Sequence, residues 1–197
     1  MYTSRRKFIN NTGVLVAAAA LSPLIVTGKG FSPNEKIRIA LIGCRNMGFG
    51  DLKNALKQPG VECAALCDVD EHILNDRGNE VEKIQGKKPL LYKDFRKLID
   101  NKDIDAVIIG TPDHWHCLPF VYACQAGKDI YVEKPLGNSI AECDVMAKAA
   151  RKYRRVVQVG QQQRSGPHWM KAMEFIKSGK LGQLRKVNIW ANFNYGI

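Results

Sequence analysis

The chain has 197 residues, 45% hydrophobic and 25% charged, with 30 Lys+Arg against 19 Asp+Glu and a formal net charge of +11. Those proportions belong to a folded chain and exclude a disordered, collagen-like or polytopic membrane protein. The charge does not indicate a nucleic-acid partner, because it sits at the two ends: +4 over residues 1–30, −2 over 31–150 and +9 over 151–188.

The first segment opens with Ser4-Arg5-Arg6-Lys7-Phe8-Ile9, a twin-arginine pattern, followed by the apolar run Val14 to Leu21. A basic start and a short apolar stretch form the layout of an export signal, and the paired arginines point to the twin-arginine machinery. The apolar run is shorter than the roughly 20 residues a spanning helix needs, and Pro23 interrupts it. Residues 1–30 are therefore expected to be a signal peptide, placing the protein in the periplasm, or tethered at the membrane if the signal is not cleaved.

Strands and helices are then expected to alternate. Strands are predicted at 36–42, 61–67, 90–92, 106–110, 129–132 and 156–159, and helices at 48–57, 71–84, 93–99, 118–126 and 139–153. Short apolar runs such as Ala106-Val107-Ile108-Ile109 indicate strands buried on both faces. The βαβα order predicts a Rossmann-type α/β fold, a doubly wound parallel sheet over 31–165. A further helix is expected at 168–177. A strand with one apolar face is expected at 186–195, opening a second, incomplete α/β substrate domain over 166–197. The basic group Arg151, Lys152, Arg154 and Arg155 flanks a helix end, where cations meet the helix dipole favourably, so no nucleic-acid partner is expected. The six cysteines show no metal spacing and read as small buried hydrophobes; alternation would put Cys63 and Cys67 on one face of their strand.

The chemistry-bearing residues cluster at strand ends. Gly43-Cys44-Arg45-Asn46-Met47-Gly48 follows an apolar strand and opens a helix, as a dinucleotide loop does. Gly43 would allow the turn, Gly48 close helix packing, and the helix amino end would hold a pyrophosphate. Arg45 occupies a position where glycine usually lets the backbone approach the phosphates. Asp68 ends the second strand, 25 residues after Gly43, where an acid accepts hydrogen bonds from the adenosine ribose. Its charge favours NAD over NADP; Asp70 is an alternative, and Arg45 a counterweight toward NADP. Thr111-Pro112-Asp113-His114-Trp115-His116 and Glu133-Lys134-Pro135 follow later strands, where open α/β sheets place their ligands. No metal is expected from the His spacing. Lys134 is read either as an exposed lysine paired with Glu133 or as a partly desolvated proton donor and acceptor.

The segments TPDHWH, AGKDIYVEKP and VVQVGQQQRS resemble the Gfo/Idh/MocA family of NAD(P)-dependent oxidoreductases, from about residue 36 to the chain end. The resemblance implies a Rossmann domain followed by an α/β substrate domain. By that likeness Asn46 and Met47 match the pyrophosphate loop and Asp68 the ribose acid. Asp113, His114, Trp115 and His116 match the segment lining the nicotinamide, with Thr111 just before it. Glu133 and Lys134 match the EKP pair, Lys134 being the conventional catalytic lysine, with His116 orienting beside it. Gln162 matches a further cofactor contact. The expected activity of the full-length protein is hydride transfer at a carbinol carbon of a sugar, cyclitol or polyol, in a homo-oligomer. The alternatives are an NAD-dependent glycoside hydrolase working by transient oxidation and elimination, or an inert nucleotide-binding fragment. The family's second acid/base has no counterpart within these 197 residues, so this chain alone is expected to be inactive.

Overall fold

A computed structural model of the chain describes residues 36–161 and 164–189. The twin-arginine segment, Gln162 and residues 190–197 lie outside the described residues. Among the described residues six strands form one all-parallel sheet: β1 (Ile37–Ile42), β2 (Val61–Cys67), β3 (Leu90–Tyr92), β4 (Ala106–Ile109), β5 (Asp129–Val132) and β6 (Val157–Val159). Their order is β3-β2-β1-β4-β5-β6. The helices are α1 (Asn46–Ala55), α2 (Glu71–Gln85), α3 (Phe95–Ile99), α4 (Cys117–Gln125), α5 (Ile140–Tyr153) and α6 (Pro167–Lys177). The expected doubly wound α/β architecture is the one found. The chain reverses its direction of winding between β3 and β4, so β1 and β4 lie side by side, and a crevice opens at their carboxyl ends.

Two apolar layers sandwich the sheet. Leu41, Phe49, Leu52, Leu66 and Leu74 belong to the layer under α1 and α2. Ile42, Leu98, Ile109, Phe120 and Met146 belong to the layer under α3, α4 and α5. Val107 and Ile109 are fully buried and Ile108 nearly so, as a strand covered on both faces requires.

Local chemistry sets the helix ends. Asp70 starts α2 by accepting from the backbone N–H groups of His72 and Ile73, and Gly86 closes it in the left-handed conformation. Ser139 caps α5 at Glu142, whose carboxylate in turn accepts from the Asn138 N–H at 2.7 Å.

Three expectations change. The first helix begins at Asn46, not 48, which puts Gly48 inside its first turn. Cys63 and Cys67 do not share a face. Ile39 pairs with Cys63 but Ala40 pairs with Ala65, so Ala64 is an extra residue in β2. This bulge reverses the alternation, sending Cys63 into the α1/α2 layer and Cys67 into the opposite one. Finally, of the strand expected at 186–195, residues 186–189 are not in a strand, and residues 190–195 lie outside the described residues. A lone strand has no ladder partner for its backbone groups, and among the described residues no strand pairs with 186–189.

Candidate functional site

Three glycines bring α1 against the ends of β1 and β4. Gly43 lies at φ +87°, and a Cβ there would stand 2.6 Å from the Thr111 nitrogen. A Cβ on Gly48 would stand 2.6 Å from the Gly43 oxygen, and one on Gly110 2.5 Å from the Gly48 Cα. All three obstacles are backbone, so none can swing aside. The amino end of α1, with its partial positive charge, is thereby held at the crevice. Gly110 is a site residue that sequence reasoning passed over; it stood in view only as the last letter of an apolar strand.

Arg45 resolves the irregularity in the loop. Its backbone is at φ −87° and ψ 165°, an extended conformation open to any residue. Its guanidinium turns to Asp70, with Nη2 2.5 Å from Oδ2. Asp68 is fixed by two backbone donors: Oδ2 accepts from the Cys44 N–H at 2.8 Å and Oδ1 from the Asp70 N–H at 3.0 Å. A carboxylate oxygen has two acceptor directions, so each retains one for a hydroxyl.

Gly43, Arg45, Asp68, Thr111, His114 and Trp115 line one cavity of about 570 Å³. The loop after β3 and the start of α3 complete the wall with Lys93, Asp94, Phe95 and Arg96. That loop carries no motif and was not expected at the site. Only the parallel pairing of β3 beside β2 brings it there. Phe95 packs edge-on to Trp115, with ring centroids 6.4 Å apart, and the Arg96 guanidinium lies 5.0 Å from the Phe95 centroid. The Thr111 hydroxyl oxygen is buried without a partner among the described residues. A buried hydroxyl left unpaired is costly, and one on the wall of a cavity fits a ligand that supplies the missing bond.

His116 is nearly fully buried between the two site loops. Nδ1 lies 2.7 Å from the Pro135 oxygen and Nε2 2.8 Å from the Thr111 oxygen. Both neighbours are backbone carbonyl oxygens. The ring thus ties the loop after β4 to the loop after β5. Asp113 accepts from the His114 backbone N–H at 2.9 Å, in the short 3-10 turn that leads to α4.

Glu133 is buried at the end of β5. Its Oε2 accepts from the Lys134 backbone N–H at 3.2 Å, and its Oε1 from the Tyr131 hydroxyl at 3.4 Å. Gly160 closes over this pair, since a Cβ there would stand 2.4 Å from Oε1. Asp51 of α1 meets Glu133 from the other side. Burial, then the Glu133 charge, push the Asp51 carboxyl up to about 6. With both groups ionised there is no donor between them, and among the described residues Asp51 Oδ2 is buried without a partner. A proton on Asp51 supplies that donor. Burial, then Asp51 and Glu133, push the Tyr131 phenol up to about 12. Nothing in the sequence pattern announced Asp51.

Lys134 precedes a cis peptide bond to Pro135 and is exposed, as the first of its two readings has it, and not partly desolvated as the second has it. Among the described residues no ion pair joins it to Glu133, whose oxygens face Tyr131 and the backbone instead. Of the other expected residues, Asn46 and Met47 open α1, and Gln162 lies outside the described residues. The cysteines are free thiols, four of them buried.

A parallel sheet in this order, a glycine-cradled helix at its switch point and an acid at the end of β2 define a dinucleotide-binding domain. The family model described as an oxidoreductase family with an NAD-binding Rossmann fold, GFO_IDH_MocA, matches residues 37–161. The chain belongs to this family, and its cofactor is NAD. It is 25% identical over 201 aligned positions to an alpha-N-acetylgalactosaminidase of Shewanella oneidensis, covering 91% of this chain and 44% of that protein. Among solved structures, myo-inositol 2-dehydrogenase from Lactobacillus plantarum is 28% identical with a TM-score of 0.69, over 75% of this chain and 43% of the other. The fold is shared with scyllo-inositol dehydrogenase from Lactobacillus casei, solved with NAD(H) and scyllo-inositol, at 24% identity and a TM-score of 0.67, over 75% of this chain and 42% of that one. The chain thus spans less than half the length of these relatives.

Proposed function

We propose that this chain is the cofactor-holding part of an oxidoreductase acting at a carbinol carbon of a sugar, cyclitol or other polyol. The observation that carries this reading is the single cavity lined by Gly43, Gly110, Asp68 and Thr111, whose buried hydroxyl has no partner among the described residues. In a bound dinucleotide, the nicotinamide ring supplies the hydride chemistry. The protein's residues then have distinct tasks. The α1 amino end, cradled by the glycines, faces the phosphates. Asp68 offers two free acceptor directions to ribose hydroxyls. Glu133, braced by Tyr131 and Asp51, sets the backbone from which Lys134 projects. Lys134 exchanges the hydroxyl proton of the substrate as the carbinol carbon changes oxidation state. His116 holds the Thr111 and Pro135 loops in register and acts by position. The substrate pocket, a homo-oligomeric assembly and export through the twin-arginine route belong to the same proposal, as does the inactivity of this chain alone.

A second reading is favoured by the alpha-N-acetylgalactosaminidase relative. There the same cofactor would serve a glycoside hydrolase through transient oxidation and elimination. Two measurements separate the readings. Titration of this chain with NADH, read by fluorescence, is expected to show saturable binding; its absence sinks both. A longer gene product is then given NAD with a polyol panel, and separately a chromogenic N-acetylgalactosaminide. NADH accumulation with a polyol supports the dehydrogenase; glycoside cleavage without net NADH supports the hydrolase.

A further inference from the structure

We propose that the Arg45–Asp70 ion pair is a specificity lock that keeps a 2′-phosphorylated dinucleotide out of the ribose end of the cavity. The proposal rests on the dinucleotide reading of that cavity and concerns only which phosphorylation state it accepts.

The reasoning starts from charge. An adenosine 2′-phosphate carries between one and two negative charges and needs free cationic donors, most often arginine. The cavity wall has three cations of the right kind: Arg45, Lys93 and Arg96. Each is already held by an acid. Arg45 pairs with Asp70 at 2.5 Å, Lys93 with Glu71 at 2.7 Å and Arg96 with Asp94 at 3.1 Å. Asp68 stands beside them with no cationic partner of its own among the described residues, its bonds going to the Cys44 and Asp70 N–H groups. Among the described residues the wall therefore offers hydroxyl acceptors and no free cation.

Arg45 is the cation that matters most. It sits on the turn between β1 and α1, directly across from Asp68 and Asp70 at the end of β2. Exposed ion pairs are weak, and this one alone would yield to a phosphate. Asp70, however, cannot withdraw. Its Oδ1 accepts from the N–H groups of His72 and Ile73, fixing it as the cap of α2, while its Oδ2 faces Arg45. An Arg45 that swung to a 2′-phosphate would leave two pinned carboxylates, Asp68 and Asp70, beside the incoming charge. The capping duty of Asp70 thus keeps the lock in place.

The test uses the 197-residue chain and titration with NADH and NADPH, read by fluorescence and confirmed by calorimetry. The wild type is expected to bind NADH about tenfold or more tightly than NADPH, the worth of one charge-assisted contact. Asp70→Asn keeps a good helix cap and removes the charge. It should raise NADPH affinity by about tenfold while NADH changes little. Adding salt should shrink that gain. Arg45→Ala in the Asp70→Asn background should abolish it. Asp70→Ser, a second good cap, serves if the asparagine variant does not fold. An unchanged NADPH-to-NADH ratio in the capped variants overturns the proposal, and so does a gain that survives removal of Arg45. Failure of the wild type to bind either dinucleotide is a different result, which overturns the dinucleotide reading itself.

Discussion

Replacing Asp51 by Asn isolates the carboxyl pair behind Lys134. In the native state the Asp51 carboxyl is displaced from its ordinary 3.8 to about 6, by burial first and by Glu133 second. Its folded value lies above its unfolded one, so folding favours the protonated form. The stability this group contributes is complete below about pH 4 and is lost as pH rises through about 6. At 1.36 kcal/mol for each pH unit, the full displacement is worth about 3 kcal/mol. Solvent reaches part of the residue, and screening reduces this to about 1–2 kcal/mol. Asparagine carries no charge and retains an N–H donor for Glu133. Asp51→Asn should therefore stabilise the protein by about 1–2 kcal/mol at pH 7.5 and by little at pH 4. For a domain of this size that raises the melting temperature by about 2–8 °C at the higher pH. Thermal unfolding followed by circular dichroism across pH 4–8, wild type beside variant, checks it. A gain that is the same at both ends, or a loss at pH 7.5, would refute the idea that two carboxyl groups share this pocket.

Three further outcomes are expected. Gly110→Ala places a Cβ 2.5 Å from the Gly48 Cα and should cost about 1–3 kcal/mol in urea unfolding, with loss of NADH binding because α1 is pushed from the crevice. His116→Ala removes the side chain that contacts the Thr111 and Pro135 carbonyls and opens a cavity; a loss of about 2–4 kcal/mol is expected, partly restored in His116→Asn, whose amide carries N–H donors. Burial pushes the Cys63 and Cys67 thiols up to about 12 and the Cys124 thiol up to about 11. At pH 8 an aromatic disulfide reagent should therefore modify only the half-buried Cys117 and Cys143 in the native chain, but every thiol in denaturant.

Much of this molecule is legible without coordinates, because the signals are local. Apolar runs such as Ala106 to Ile109 can be buried only as strands covered on both faces, and their alternation with helices admits few topologies. The glycines of the first turn and Asp68 at a strand end follow from the same local grammar. What escapes it depends on partners far apart in the chain. Whether Cys63 and Cys67 share a face is decided by one extra residue, Ala64, against the register of β1. Phe95 and Arg96 reach the cavity because β3 pairs with β2, and Gly110 matters because Gly48 comes to rest on it. Asp51 becomes unusual only when α1 is laid on the sheet and meets Glu133, 82 positions later in the sequence. Arg45 looks in sequence like a defect in a phosphate loop or a signal for NADP. In the folded chain it is the partner of Asp70. Periodicity and turn chemistry act over a few residues and can be read along a line; charge pairing, desolvation and close backbone approach act through space, and only the closed sheet brings their participants together.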